Sequence, residues 1–127
     1  MSARRGFGIA AAALGASAVA LGAFGAHALQ GRLDETALRV WHIAVQYQFW
    51  HTLALLGLCA LAPAHGSGAW RASGILFVAG TAIFSGSLYS LALGAPKWVG
   101  AITPLGGLAL IAGWVLLGAA FFREKRT

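Results

Sequence analysis

Charged side chains are scarce in this sequence of 127 residues. Only 9% of the residues are charged, nine Lys or Arg and three Asp or Glu, whereas about 25% of an average soluble domain is charged. Hydrophobic residues make up 59%. So few charges cannot cover the surface of a soluble domain of this size, which excludes a water-soluble globule.

The sequence also lacks the residues on which several activities depend. Its single cysteine, Cys59, excludes an intramolecular disulfide, a CxxC redox pair and a thiolate metal cluster. No Asp or Glu lies in the central part of a long apolar segment, so cation-coupled exchange lacks its carboxylate. No complete catalytic set is visible, and we expect a protein that is not an enzyme and holds no cofactor.

The net charge of +6 comes from residues at the chain ends, in the gaps between apolar segments and near the starts of two of these segments. No stripe of Lys and Arg is interleaved with aromatic residues, so nucleic acid is not an expected partner. The positive charge instead indicates how the chain is oriented in a membrane.

Four apolar segments, 7–29, 35–62, 69–93 and 104–122, are long enough to cross a bilayer as helices, which takes about 20 residues. Pro104 either begins the last helix, after an interfacial loop over 97–102, or kinks a longer one. The pattern predicts an all-α membrane protein with a single domain over 1–127. We expect a compact bundle of four transmembrane helices with short antiparallel connections.

Four crossings would place both termini on the same side of the membrane. Six basic residues would lie on that side and three on the other. The positive-inside rule therefore predicts cytoplasmic termini in a bacterial inner (plasma) membrane. A competing interpretation is that Arg4-Arg5 and Ala26-His27-Ala28 belong to a cleaved export signal.

Small residues recur with a period of 3.5 along the first, third and fourth segments. Such stripes allow close approach of helix backbones, which supplies much of the attraction between helices in lipid. The predicted packing glycines are Gly8, Gly15, Gly22, Gly25, Gly80, Gly94, Gly106 and Gly113.

The second segment differs because polar residues lie on several of its faces, which predicts a helix inside the bundle or an oligomer. The predicted membrane-buried polar cluster contains His27, Arg39, His42, Gln46, Tyr47, Gln48, His51 and Ser87. Three interpretations remain open: a structural hydrogen-bond network, a proton or small-solute path, and a haem, metal or quinone site near the non-cytoplasmic face. No metal ligands are assigned.

Five short motifs occur in order along the chain. They are Gly22–His27, Tyr47-Gln48 followed by His51, Gly86–Tyr89, Thr103–Gly107 and Gly113-Trp114. Together they resemble the YgdD-like family of small bacterial membrane proteins, domain of unknown function 423. The resemblance implies a multi-pass membrane protein with no assigned reaction, so it supplies no catalytic residues.

The function expected from these observations is non-enzymatic. We expect an integral membrane protein that acts through helix packing with protein or lipid partners. The candidate partners are the lipid bilayer, a second copy of the chain and another membrane protein.

Overall fold

The computed structural model describes residues 2–61 and 67–124. Within these ranges the chain forms four long helices: α1 (Ala3–His27), α2 (Glu35–Ala60), α3 (Gly68–Ala92) and α4 (Thr103–Phe122). A short 3-10 helix, Lys97–Ala101, precedes α4, and no strand occurs in the described ranges. The prediction of an all-α membrane bundle is therefore confirmed.

Three of the long helices begin at a side chain that accepts a backbone hydrogen bond. Ser2, Asp34 and Ser67 each accept the N–H of the residue three positions further on, at 2.7 Å in the case of Asp34. Such caps satisfy backbone donors that have no partner within the helix. They fix where α1, α2 and α3 start.

The fourth helix begins without a side-chain cap, and Pro104 lies in its first turn. Proline fits there because the missing N–H would have no helical partner. Pro104 thus starts α4 and does not kink it. The preceding segment, expected as a loop over 97–102, is largely the 3-10 helix, whose exposed Trp98 points away from the bundle.

Consecutive helices pack antiparallel. Arg4 Nε donates to the carbonyl of Cys59 at one end of the α1–α2 pair, and Trp41 Nε1 donates to the carbonyl of Leu21 near the other end. α3 packs on α2, and α4 packs on α3. α2 and α3 therefore form the central pair. We call the end where α1 and α3 begin the terminal end, because α4 also finishes there.

Three helical segments are long and apolar enough to cross a membrane: α1, α3 and Lys97–Phe122, which includes α4. α2 is not among them, because its polar side chains lower its hydropathy. Its 26 residues nevertheless lie alongside α1 and α3, whose lengths are nearly the same. The crossing of the membrane by α2 stays a prediction that rests on this packing.

The stripes of small residues lie where helices meet. A Cβ built on Gly106 would collide with the backbone of Phe84, and one on Gly113 would come within 2.9 Å of the Phe77 ring. Four more predicted packing glycines also face another helix, and a Cβ built on them would lie 2.5 to 3.4 Å from its atoms. They are Gly15, Gly22, Gly25 and Gly80. These six glycines allow close helix contacts.

Two predicted packing glycines, Gly8 and Gly94, do not pack against another helix within the single chain. A Cβ on Gly8 would meet nothing within 4 Å, because the first turns of α1 leave this side open. Gly94 lies just beyond α3 with φ +100°, again with open space around it. Gly94 is needed for the left-handed backbone that ends the helix.

Candidate functional site

The structure divides the predicted polar cluster into an inner and an outer set. Gln48, His51 and Ser87 are buried and Tyr47 is half-buried. Four members are exposed on the surface of the single chain: His27, Arg39, His42 and Gln46. The prediction that these four side chains are buried within the bundle is therefore wrong. Their burial in an oligomer stays a prediction.

Gln48 connects three helices. Its Nε2 donates to the carbonyl of Leu14 at 2.9 Å and to Ser17 Oγ at 2.8 Å, both on α1. Its Oε1 accepts the hydroxyl of Tyr89 on α3 at 2.7 Å. The amide thus uses both of its N–H groups and its oxygen, as a polar group buried in a membrane protein requires.

His51 connects α2 to α4. Its Nδ1 lies 2.8 Å from the carbonyl oxygen of Tyr47, which can only accept, so Nδ1 carries the proton. Its Nε2 accepts the indole N–H of Trp114 at 3.1 Å. The ring is therefore the neutral Nδ1–H tautomer with both nitrogens engaged. This arrangement is a structural link between helices.

Serine hydroxyls make similar links at two further levels of the bundle. Ser85 Oγ donates to the carbonyl of Ala44 and Ser73 Oγ to the carbonyl of Gly113, each at 2.7 Å. Ser73 lies seven residues before Gly80, in register with the packing stripe of α3, where a hydroxyl can reach a facing carbonyl. That spacing was the signal available in the sequence.

Ser87 and Thr103 form the polar contact between α3 and the start of α4. Their hydroxyl oxygens are 2.6 Å apart, and Ser87 Oγ also donates to the carbonyl of Phe84. Thr103 therefore donates to Ser87. Among the described residues, Thr81 Oγ1 is the one buried side-chain oxygen without a partner.

Three tryptophan and tyrosine contacts were missed from the sequence. Trp41 and Trp70 donate their indole N–H groups to carbonyls of neighbouring helices, each at 2.9 Å, and Tyr89 donates to Gln48. Aromatic residues with one polar atom are suited to this role inside an apolar bundle. The signal available in the sequence was the position of these residues in apolar segments, where an indole N–H or a phenol O–H needs an acceptor from another helix.

Three members of the outer set, Arg39, His42 and Gln46, lie on the face of α2 that neither α1 nor α3 covers. Gln46 and Gln48 are two residues apart, which places them about 200° apart around the helix. Gln48 bonds to both α1 and α3, so these two helices lie on the same side of α2 at this level and the opposite direction stays uncovered. The hydrogen bonds of Gln48 fix the inner direction, so Gln46 points outward and makes no side-chain hydrogen bond within the described ranges.

The exposed face of α2 has a regular pattern. Its members recur at alternating steps of four and three, and every one of them is exposed in the single chain. We call this set the α2 stripe: Glu35, Arg39, His42, Gln46, Phe49, Leu53, Leu56 and Ala60. A period of 3.5 is that of a seam between two helices that supercoil in a left-handed sense.

The α2 stripe has a polar half and an apolar half. The helix is about 39 Å long at 1.5 Å per residue, against a hydrocarbon core of about 30 Å. Arg39 lies about 6 Å from the helix start, where its long side chain can extend to the headgroups. Gln46 lies about 17 Å from the start, close to the middle, where no headgroup is in reach.

The exposed positions bear on the other interpretations of the polar residues. In the single chain His42 and Gln46 are exposed whereas His51 is buried, so these three residues do not line one path through the bundle. In the described parts of the chain, no three residues among His, Cys, Asp and Glu are placed to hold one metal ion. His27, at the end of α1, and His42 are both exposed.

The family described as "Protein of unknown function (DUF423)" matches residues 21–107. No solved structure matches the chain.

Several curated relatives match most of the chain. The UPF0382 membrane protein YwdK of Bacillus subtilis is 46% identical over 104 residues, which are 81% of this chain and 85% of the relative. The UPF0382 membrane protein SH2409 of Staphylococcus haemolyticus is 44% identical, over 83% of this chain and 85% of the relative. The UPF0382 inner membrane protein YgdD of Escherichia coli K12 is 40% identical, over 85% of this chain and 82% of the relative.

Proposed function

We propose a function from the geometry, since this chain belongs to the DUF423 family, whose description names no activity. The protein is a non-enzymatic assembly subunit of the membrane that acts by helix packing. Its docking face is the α2 stripe, and the occupant is the same stripe of a second copy.

The observation that carries this proposal is the exposure of Gln46 near the middle of α2. An amide that faces lipid without a hydrogen bond costs several kcal/mol, on the order of 2 to 7. The fold satisfies Gln48, on the same helix, with three hydrogen bonds. A partner that supplies hydrogen bonds to Gln46 removes the free-energy cost of this amide in the single chain.

The chemistry of the stripe favours a second copy as the partner. Gln46 carries both a donor and an acceptor, so two such side chains at the same depth can bond to each other. Glu35 and Arg39 lie one helical turn apart on the stripe, so each can pair with the opposite charge on the partner. A twofold axis along the membrane normal brings like residues to like depths.

The membrane and the orientation are also part of the proposal. The location is a bacterial inner membrane, as it is for the relative YgdD, an inner membrane protein. α1 begins and α4 ends at the same end of the bundle, and the exposed Arg4, Arg5, Arg71 and Arg123 lie there. The positive-inside rule supports cytoplasmic termini.

Cysteine cross-linking in native membranes tests the docking face. The variants Phe49→Cys, Leu53→Cys and Leu56→Cys place a thiol on the stripe and leave Gln46 in place. We expect oxidation to give a species of twice the chain mass for these variants. Matched controls are Ala12→Cys and Ala20→Cys, exposed on α1, and the native chain, whose Cys59 is buried.

The outcomes separate the candidate partners. Cross-linking of the α1 controls at the same yield as the stripe variants would contradict a specific face. A stripe adduct with the mass of a different protein would assign the face to that protein and overturn the second copy. Absence of any stripe adduct would overturn the proposal.

A further inference from the structure

A second surface, on the other side of the bundle, carries an inference beyond the proposed function. A groove of about 480 Å³ runs between the first turns of α1 and the middle of α3. Small residues form much of its lining, and it is open along one side. The lining includes Gly6, Phe7 and Ala10 of α1 and Ile75, Ala79 and Ala82 of α3.

The groove exists because α1 and α3 meet at one place. The Phe7 ring packs edge-on against Trp70, with centroids 5.4 Å apart, and a Cβ on Gly74 would collide with it. Beside this contact the facing residues are too small to close the gap. A Cβ on Gly6 would meet nothing within 4 Å, which shows how much space remains.

The groove is short and lies toward the terminal end of the bundle. Its α1 wall runs from Ala3 to Ala10, about 10 Å along the helix axis. A helix that crosses the membrane needs a contact face of about 30 Å. A wall of this length instead matches part of one flexible chain within one leaflet.

Charge at the mouth of the groove indicates the headgroup. Arg71 lies one turn before Ile75 on the groove side of α3, and its side chain is exposed. α1 and α3 both direct their N-termini, with their partial positive charge, toward this end. The described acidic residue at this end is Glu124, which follows α4 and lines a pocket with Leu61 and Trp70, not the groove. The mouth therefore attracts an anion.

We propose that this groove holds one acyl chain of an anionic phospholipid whose phosphate is bound at Arg71. The apolar lining accepts the chain, and the guanidinium supplies hydrogen bonds and charge to the phosphate. A zwitterionic lipid of the same chain length fits the groove equally well but gains less from the basic mouth. The site therefore selects lipids by headgroup charge.

Native mass spectrometry of the full chain in mild detergent tests the site. The protein is supplied with equal amounts of palmitoyl-oleoyl phosphatidylglycerol and phosphatidylcholine, and retained lipid is counted by mass. We expect the wild type to prefer phosphatidylglycerol and Arg71→Gln to lower that preference about fivefold, the effect of one basic residue near an anionic surface. The control Arg5→Gln removes the same charge at the same end, on the α1 face away from the groove, and should change the preference less than about twofold.

A second pair of variants tests the acyl-chain site. Ala79→Phe fills the groove from an exposed position and should lower retention of both lipids, whereas Ala12→Phe, exposed elsewhere on α1, should not. Equal retention by these two variants would overturn the site, as would equal preferences in wild type and Arg71→Gln. A second copy bound to wild type and lost in Ala79→Phe would place a protein in the groove and also overturn it. Circular dichroism checks that each variant is folded.

Discussion

His51 Nε2 accepts a hydrogen bond from Trp114 Nε1 at 3.1 Å, which joins α2 to α4. The other ring nitrogen donates to the carbonyl of Tyr47, one turn back on the same helix. Both ring nitrogens of His51 are thus engaged in hydrogen bonds within the chain. In this arrangement His51 joins α4 to the central pair of helices.

The first prediction concerns the stability that this link provides. His51→Phe keeps an aromatic ring but leaves the indole N–H of Trp114 without its acceptor. We expect the free energy of unfolding to fall by about 1 to 3 kcal/mol. Denaturant titration in detergent micelles, followed by circular dichroism, measures the change.

A double-mutant cycle isolates the hydrogen bond from other effects of the substitution. Combining His51→Phe with Trp114→Phe should give a coupling energy of about 0.6 to 1.7 kcal/mol, from the average to the largest value measured for hydrogen bonds between membrane helices. Additive losses in the two single variants would contradict a direct link between these side chains.

The second prediction concerns transport. Liposomes that contain wild-type protein and liposomes that contain His51→Ala should show the same proton flux as empty liposomes, because His42 and Gln46 lie outside the bundle. A pH-sensitive dye inside the vesicles measures the flux after an imposed gradient. Flux in the wild type that is lost in His51→Ala would instead support a proton path.

The third prediction compares two glutamines of α2. Gln48→Leu leaves Tyr89 without its acceptor and removes both donors to α1, so unfolding should become easier by about 1 to 3 kcal/mol. Gln46→Leu, the same substitution on the exposed face, should change the stability of the single chain by less than about 0.5 kcal/mol. Thermal unfolding of the two variants, measured with the protein diluted in detergent micelles so that the chains are single, compares their stabilities. Equal losses would contradict the assignment of one glutamine to the interior and the other to the surface.

The fourth prediction concerns the contact between α3 and α4. Gly106→Ala places a methyl group against the backbone of Phe84, which cannot move as a side chain can, so the two helices must separate. We expect a loss of about 1 to 3 kcal/mol in the free energy of unfolding. Gly118→Ala on the same helix meets nothing within 4 Å and should cause no loss.

The positions of the helices could be read from the sequence because their signals are local. α2 begins at Glu35, where the second apolar segment was predicted to start, and Pro104 begins the fourth helix as one of the two interpretations had it. The glycine stripes were equally accessible, since a period of 3.5 is visible in one segment alone. Gly94 was included among the packing glycines because it continues the seven-residue spacing of the α3 stripe, although its positive φ shows that it ends the helix.

The inner and outer faces of α2 could not be read in the same way. Gln46 and Gln48 are chemically identical, and the sequence offers polar residues on several sides of the helix. Which of them is buried depends on where α1 and α3 dock, and that is decided by contacts such as the Trp41 indole on the Leu21 carbonyl. Such contacts join residues far apart in the chain, and no local period reports them.

Dimer affinity in lipid tests the account most directly. Förster resonance energy transfer between labelled copies, measured as the protein is diluted into liposomes, gives the dissociation constant of the pair. For Gln46→Leu we predict a dissociation constant about 3 to 18 times that of the wild type, the equivalent of one hydrogen bond between membrane helices. Wild-type and Gln46→Leu chains that associate equally, or a wild type that shows no transfer at any dilution, would contradict the account.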